Sequence, residues 1–256
     1  MKITPAALCF LFVATFSVLT VTVHAIEKPD GYHLDPSPYN PAKDLDPGMF
    51  VSHWNESAPR VEHGTLVVRD VFTPNATGDP FRPAKRGVVL KNLVAVSYGM
   101  LDAGMSTTPD TLDGQQKVFY TLSGEGTVTA GEKTAELRKG VGFLMPAGLE
   151  FVITNTCDEP LTFYIPTEPV TSGFIPRKDM LVKDLNPGFY DRTNGHWTNM
   201  TKRLFSRDDG LCCITHMASV WLAPMQMAQP HAAMAKYIDV VWFAISDGIK
   251  TQLGKQ

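Results

Sequence analysis

Short hydrophobic runs separated by turn residues dominate the chain from Thr65 onward. The runs are rich in Val, Phe, Tyr, Thr and Ile, and Gly, Pro, Asp or Asn interrupts them about every ten residues. In chain order they read TLVVRDVF, GVVLKNLVAVSYGML, KVFYTLSG, GTVTAG, TAELRKG, VGFLMPAG, LEFVITNT and LTFYIPTE. Many short strands at this spacing predict an all-β antiparallel sandwich or barrel, and convincing helical patterns are scarce.

The N-terminal part of the chain has a different pattern. Residues 1–25 carry one positive charge at Lys2, a long apolar run and small residues before a cut after Ala25, which predicts a secretory signal peptide. The rival interpretation is a membrane anchor, because the apolar run is long enough to span a bilayer. Residues 26–42 are polar and proline-rich and are predicted to form an extended leader. A cleaved signal predicts a secreted, extracytoplasmic protein that has no membrane contact after cleavage.

One unusual phrase occurs twice in the chain. KDLDPGMFVSHW begins at Lys43, and KDLNPGFYDRTNGHW begins at Lys183. Because composition does not explain such a match, the chain is predicted to be an internal duplication. The Asp-Pro-Gly and Asn-Pro-Gly triplets favour a tight turn at the start of each copy. We therefore predict a first unit over 43–182, with its barrel core at about 92–166, and a second unit over 183–256.

The strongest motif lies in GVGFLMPAGLEFVITN. Its spacing of Gly140, Pro146, Gly148, Phe151 and Asn155 resembles the second cupin motif, G-x5-P-x-G-x2-H-x3-N, with phenylalanine in place of the histidine. Upstream, KVFYTLSG resembles the end of the first cupin motif. The chain is therefore identified as a member of the cupin superfamily, which implies a jelly-roll barrel, or double-stranded β-helix. With the duplication, the resemblance implies a bicupin whose second barrel is truncated.

Cupin chemistry depends on a metal held by three histidines and a glutamate, and the first unit resembles the family except at these four positions. The glutamate position is Lys117, and Phe151 replaces the last histidine. The first two histidine positions are Asp110 and Leu112 under the longer motif spacing, or Thr111 and Asp113 under the shorter one. The resemblance therefore implies no metal cofactor in the first barrel.

An apolar barrel interior is the expected consequence of these replacements. Four side chains are candidates for lining a small-ligand pocket there: Phe119, Met145, Phe151 and Phe163. The alternative is that these side chains only pack the barrel.

The second unit resembles the cupin pattern over MQMAQPHAAMAKYIDVVWFAISDG, which aligns Trp242 with Phe119. His231 is retained and Asp239 stands near the glutamate position, so these two residues are the metal candidates. The strands that would close this barrel lie beyond Gln256, and we expect a fragment of a longer bicupin. A complete second barrel would hold one divalent transition metal, Mn, Fe or Zn. Alternatively, the open second barrel borrows strands from another chain and forms a homo-oligomer.

Charge and glycosylation motifs narrow the partners. The formal net charge is −3, and removal of residues 1–25 makes it −4. The sequence therefore has no basic surface signal that would predict nucleic-acid binding. Three sequons, at Asn55, Asn75 and Asn199, fit a glycosylated secretory product.

The predicted mature chain has three cysteines, Cys157, Cys212 and Cys213, too few for a disulfide framework. One bridge from Cys157 to either member of the vicinal pair is one interpretation. Three small, half-buried apolar side chains are the other.

Two functions follow from the resemblance. The first is a non-catalytic cupin that binds a small ligand or has a structural or storage role, and the loss of metal ligands favours it. The alternative is a metal-dependent bicupin enzyme, of oxidoreductase, dioxygenase or hydrolase type, whose active site lies in a completed second barrel. No residue selects a substrate or distinguishes an enzyme from a binding protein.

Overall fold

The computed structural model describes residues 37–76, 78–79, 81–187, 200–226 and 239–246. The strands are β1 Pro59–Glu62, β2 Leu66–Pro74, β3 Val88–Leu90, β4 Ala95–Leu101, β5 Gln115–Ser123, β6 Glu125–Ala130, β7 Lys133–Arg138, β8 Val141–Met145, β9 Phe151–Asn155, β10 Leu161–Pro169, β11 Leu181–Asp184, β12 Met200–Ser206 and β13 His216–Trp221. Short 3-10 helices span Pro47–Phe50, Trp54–Glu56 and Arg207–Asp209. In the described part of the chain, no helix has the length and hydropathy needed to cross a bilayer. The predicted signal peptide lies outside the described residues.

Two sheets enclose the main core. The larger sheet runs β1-β2-β4-β10-β5-β8-β11, with β3 added in parallel to β2, and the smaller one runs β7-β6-β9. The remaining pairs in both sheets are antiparallel, and β12 and β13 form a separate antiparallel pair. Apolar side chains from both sheets, such as Phe119 and Ile153, share one hydrophobic core. The prediction of an all-β cupin jelly roll is confirmed.

Burial along the strands explains how the barrel is filled. β9 alternates, with Phe151, Ile153 and Asn155 buried and the residues between them half-buried, as expected for a strand with one face on the core. β10 is buried from Leu161 through Glu168, which means that both of its faces are covered. The barrel interior covers one face, and other parts of the chain cover the opposite one.

Segments from the C-terminal part of the chain cover the outer face of the larger sheet. Val118 and Leu144, which point away from the barrel core, join Leu204 and Phe205 in a second hydrophobic cluster. At Gly142 a Cβ would lie 2.7 Å from Leu204 Cδ2, so glycine is needed for β12 to approach the sheet this closely.

The repeated phrase has two different local structures. In the first copy, Asp46 accepts a hydrogen bond from the Gly48 backbone N–H at 2.9 Å and caps the Pro47–Phe50 helix. In the second copy, Lys183 and Asp184 end β11 and pair with β8. The boundary predicted between the two units, after residue 182, therefore falls inside β11.

Candidate functional site

Lys117 occupies the position at which the cupin motif has its glutamate ligand. It lies on β5 and faces the same side as Phe119, because alternate residues of a strand point the same way. Its side chain is only 6% exposed, and its Nζ lies 2.5 Å from Glu62 Oε2 at the end of β1. The Lys117 ammonium group therefore occupies the position of the glutamate ligand, and it forms an ion pair with the Glu62 carboxylate from another strand.

His63 joins this ion pair from the turn between β1 and β2. Its Nδ1 lies 2.7 Å from Asp110 Oδ2, and its ring meets Phe151 edge to face with centroids 4.9 Å apart. Its buried Nε2 lies 3.8 Å from Glu62 Oε2, and no described residue offers that nitrogen a hydrogen bond. We name Glu62, His63, Asp110 and Lys117 the ion-pair cluster.

The structure distinguishes the two motif spacings at the first histidine positions. The Asp110 carboxylate reaches the buried His63 ring, and Leu112 is buried in the barrel core. Thr111 and Asp113 are exposed. The longer spacing therefore describes which residues face the site.

Further charged and polar side chains form a hydrogen-bond network around Glu62. Arg60 donates hydrogen bonds to Glu62 and to both oxygens of Asp70, and Ser97 Oγ donates to Asp70 Oδ1 at 2.6 Å. Burial alone would raise the pKa of Glu62, but Lys117 and Arg60 outweigh it and hold that pKa below its ordinary value. Burial likewise opposes ionisation of Asp70, and hydrogen bonds from Arg60 and Ser97 keep its pKa low.

Acid is expected to weaken the fold through this network. A carboxyl group with a lowered pKa stabilises the folded state above its unfolded-state pKa, and this contribution disappears as the pH falls through the folded-state pKa. We therefore expect the urea midpoint of unfolding to fall between about pH 5 and about pH 3. A Glu62→Gln variant should show a shallower loss over the same range, measured by fluorescence at each pH. Parallel pH profiles for the variant and the natural protein would contradict this assignment.

The four residues predicted to line a ligand pocket lie in the barrel core. Phe119, Met145, Phe151 and Phe163 are each at most 2% exposed. Phe119 is stacked on Phe143 with centroids 4.6 Å apart, and it meets Phe163 edge to face at 5.7 Å. Phe151 also borders an open cavity of about 210 Å³. The rings fill the interior, and a ligand pocket at these four residues stays a prediction.

Comparison with known proteins agrees with this geometry. Residues 98–166 match the cupin domain family. This part of the chain is a cupin domain. The prediction made from Gly140, Pro146 and Gly148 is thus confirmed for the superfamily, while the bicupin arrangement stays a prediction. No curated protein sequence matches the chain significantly.

Several solved structures with low sequence identity to this chain have a similar fold, including the following three. A predicted oxalate decarboxylase from Thermotoga maritima is 17% identical, over 47% of this chain and 99% of that chain, with a TM-score of 0.38. The Schizosaccharomyces pombe Cnp3 cupin domain is 16% identical, over 45% of this chain and 70% of its own, with a TM-score of 0.35. The Momordica charantia 7S globulin is 14% identical, over 55% and 39% of the two chains, with a TM-score of 0.39.

A metal ion does not fit the residues at the cupin motif. Lys117 brings a positive charge, Leu112 and Phe151 have no donor atom, and the Asp110 carboxylate is engaged by His63. Within the described ranges, no group of three or more His, Cys, Asp or Glu side chains is arranged to hold a metal ion. No step of a reaction at this cupin domain is therefore assigned to a metal.

The metal candidates of the second unit lie apart from this cluster. Asp239 accepts hydrogen bonds from the successive backbone N–H groups of Lys91, Asn92 and Leu93, at 2.8 to 3.3 Å. Both of its carboxylate oxygens are used in these bonds. His231 lies outside the described residues, so a metal site formed with Asp239 stays a prediction.

The sequons differ in their surroundings. Asn55 is exposed, and its Oδ1 lies 2.6 Å from His53 Nδ1. Asn75 is half-buried, and its Nδ2 donates to the Asp79 carbonyl at 3.0 Å. Asn199 lies outside the described residues. Of the two described sequons, Asn55 is the more accessible to a glycosylating enzyme.

Sequence reasoning missed half of the ion-pair cluster. Glu62 precedes Lys117 by 55 residues, and no family motif includes Glu62 or His63. The available signal was the His63-Gly64 pair between two β-type runs, where both residues have positive φ, of 48° and 79°. That signal predicts a turn but does not show which strand the turn will contact.

Proposed function

We propose that the cupin domain of this chain is a metal-independent, non-catalytic module with a structural or small-ligand-binding role. The ion pair between Lys117 and Glu62 is the observation that carries this proposal. An ammonium group in the place of a ligand supplies the positive charge that a metal would otherwise bring, and Glu62 neutralises it. Neither group offers an open coordination position to a substrate.

The filled interior supports a structural role over catalysis. A catalytic or binding site in a barrel needs space for its ligand, whereas the rings of Phe119, Phe143, Phe151 and Phe163 contact one another in the core. Both faces of the larger sheet are used for packing, so the domain holds the C-terminal segments in place. A small molecule at the open cavity beside Phe151 remains compatible with this role.

Reciprocal contacts support a tandem duplication. Glu168 of the first unit accepts hydrogen bonds from successive backbone N–H groups at 212–214. Asp239 of the second unit does the same for 91–93. In the sequence alignment, Asp239 corresponds to Gln116, whose Nε2 donates to both Glu168 and the Gly210 carbonyl. In both directions, a carboxylate of one unit accepts hydrogen bonds from successive backbone N–H groups of the other.

We further propose that the protein is extracytoplasmic, has no nucleic-acid partner and can form homo-oligomers through its second unit. The apolar run before Ala25 and the exposed sequon at Asn55 support export. N-terminal sequencing after expression in a eukaryotic secretory host would test cleavage, and loss of Asn55 should remove one glycan-dependent mobility shift. An uncleaved, unglycosylated product in the cell pellet would contradict export.

Metal analysis tests the central proposal. We expect the purified protein to contain no stoichiometric transition metal by plasma mass spectrometry, and a His231→Ala variant to match it. The alternative, a metal-dependent enzyme with its site in a completed second barrel, predicts a stoichiometric metal that is lost in His231→Ala. A metal that is lost on changing Asp110 or Glu62 would instead overturn the metal-independent first barrel.

A further inference from the structure

The vicinal cysteines lie at the junction between the cupin domain and the C-terminal segments. Cys212 and Cys213 precede β13, and both side chains are half-buried free thiols. Their sulfur atoms are 4.0 Å apart. Because the residues are adjacent in sequence, these thiols stay close to each other whatever the loop does.

The surroundings of the pair differ from those of Cys157. Cys212 Sγ lies 3.2 Å from Thr171 Oγ1, and Cys213 Sγ lies 3.8 Å from the Pro169 carbonyl oxygen. Cys157 Sγ lies instead beside Asn155 Oδ1 and the Glu159 carbonyl, on the turn before β10. The structure therefore brings the vicinal thiols together and gives Cys157 separate neighbours.

We propose that Cys212 and Cys213 form a redox site that closes to a vicinal disulfide by exchange with a small-molecule disulfide. In the first step, the thiolate of one cysteine attacks a sulfur of the small disulfide, whose S–S bond breaks and releases one thiolate. In the second step, the other cysteine attacks the mixed disulfide and releases the second thiolate. The two cysteines lose two electrons and two protons, and the small disulfide is reduced to two thiols.

Closure changes the loop that Glu168 holds. A disulfide bond is about 2.05 Å long, so the two sulfurs must approach each other by about 2 Å. The peptide bond between Cys212 and Cys213 then becomes part of an eight-membered ring. The backbone N–H of Cys213, which belongs to this peptide bond, donates to the Glu168 carboxylate at 2.6 Å, and the N–H of Cys212 donates to it at 2.8 Å. Oxidation therefore acts directly on the contact between the two units.

The acidity of Cys213 sets the expected pH dependence of the exchange. Burial, then Cys212, and then Glu168 raise its pKa to about 11. Since the thiolate is the nucleophile, exchange that uses Cys213 should be slow near neutral pH and should accelerate as the pH rises.

The test uses the full chain incubated with oxidised glutathione and analysed by intact mass and by peptide mapping without reduction. We expect a loss of two hydrogens within the peptide that contains residues 212–213, while Cys157 is still alkylated by iodoacetamide. Cys157→Ser should behave as the natural chain does, and Cys213→Ser should stop at the glutathione mixed disulfide. A bridge that includes Cys157, or alkylation of both Cys212 and Cys213 after incubation, would overturn the proposal.

Hydrogen exchange tests the coupling to Glu168 separately. The amides of Cys212, Cys213 and Ile214 should exchange at least about 10-fold faster in the oxidised protein. The reason is that closing the disulfide disrupts their hydrogen bonds to the Glu168 carboxylate. Exchange rates that are unchanged by a mapped vicinal disulfide would contradict this coupling.

Discussion

Replacing Glu62 with alanine is expected to lower the free energy of unfolding by about 3–5 kcal/mol. The reason is that Lys117, with 6% of its side chain exposed, loses the carboxylate that lies 2.5 Å from its ammonium group. A buried, unpaired charge costs more than a surface one, because the protein interior solvates it poorly. Urea unfolding at neutral pH would measure the loss.

A double variant separates the pair from its packing. Glu62→Leu combined with Lys117→Met removes both charges and keeps similar volume, so it should recover most of the loss in the single variant. The control is Lys133→Met, because the Lys133–Asp179 pair has side chains 56% and 49% exposed. That change should lower stability far less than Glu62→Ala does, because solvent screens an exposed pair. Equal effects of Glu62→Ala and Lys133→Met would show that Lys117 is not a buried, paired charge.

Replacing Glu168 with alanine is expected to lower the free energy of unfolding by at least about 3 kcal/mol, because each buried group left without its partner costs about 1–3 kcal/mol. The Glu168 carboxylate is buried and accepts four hydrogen bonds of 2.6 to 2.8 Å. The donors are Gln116 Nε2 and the backbone N–H groups of Cys212, Cys213 and Ile214.

Two further measurements make this prediction specific. Glu168→Gln retains one carbonyl oxygen and should lose less stability than Glu168→Ala, while Glu136→Ala, at an exposed position of β7, should change stability by less than about 0.5 kcal/mol. Hydrogen exchange should show lost protection at residues 212–214 in both Glu168 variants. Full protection of those three amides in Glu168→Ala would mean that another group holds the loop.

Local spacing explains why the cupin fold was predictable. Gly140 lies immediately before β8 and Gly148 lies in the turn after it, and both adopt positive φ, of 91° and 76°. A position with positive φ favours glycine whatever residues stand at the ligand positions. The replacements at Lys117 and Phe151 could be read from the same spacing, because a motif assigns each residue to a position.

The partners of those replacements were not predictable in the same way. Glu62 contacts Lys117 because β1 pairs with β2 at the edge of the larger sheet, and this strand order is set by packing over the whole domain. Asp239 illustrates the same limit. The alignment placed it near the glutamate position of the second unit, and it did not show that the carboxylate accepts hydrogen bonds from the backbone N–H groups of 91–93.

The sequence by itself determined that this chain forms short antiparallel strands, and its motif spacing resembled a cupin with other residues at the ligand positions. The strands and turns follow from side-chain alternation and from positions that need particular residues, which are local properties. Only the tertiary structure decided that Lys117 is neutralised by Glu62, that His63 packs on Phe151 and that the repeated phrase is a helix cap in one place and a strand end in the other. Such pairings depend on which distant segments bury each other's surfaces, and that is a property of the complete fold.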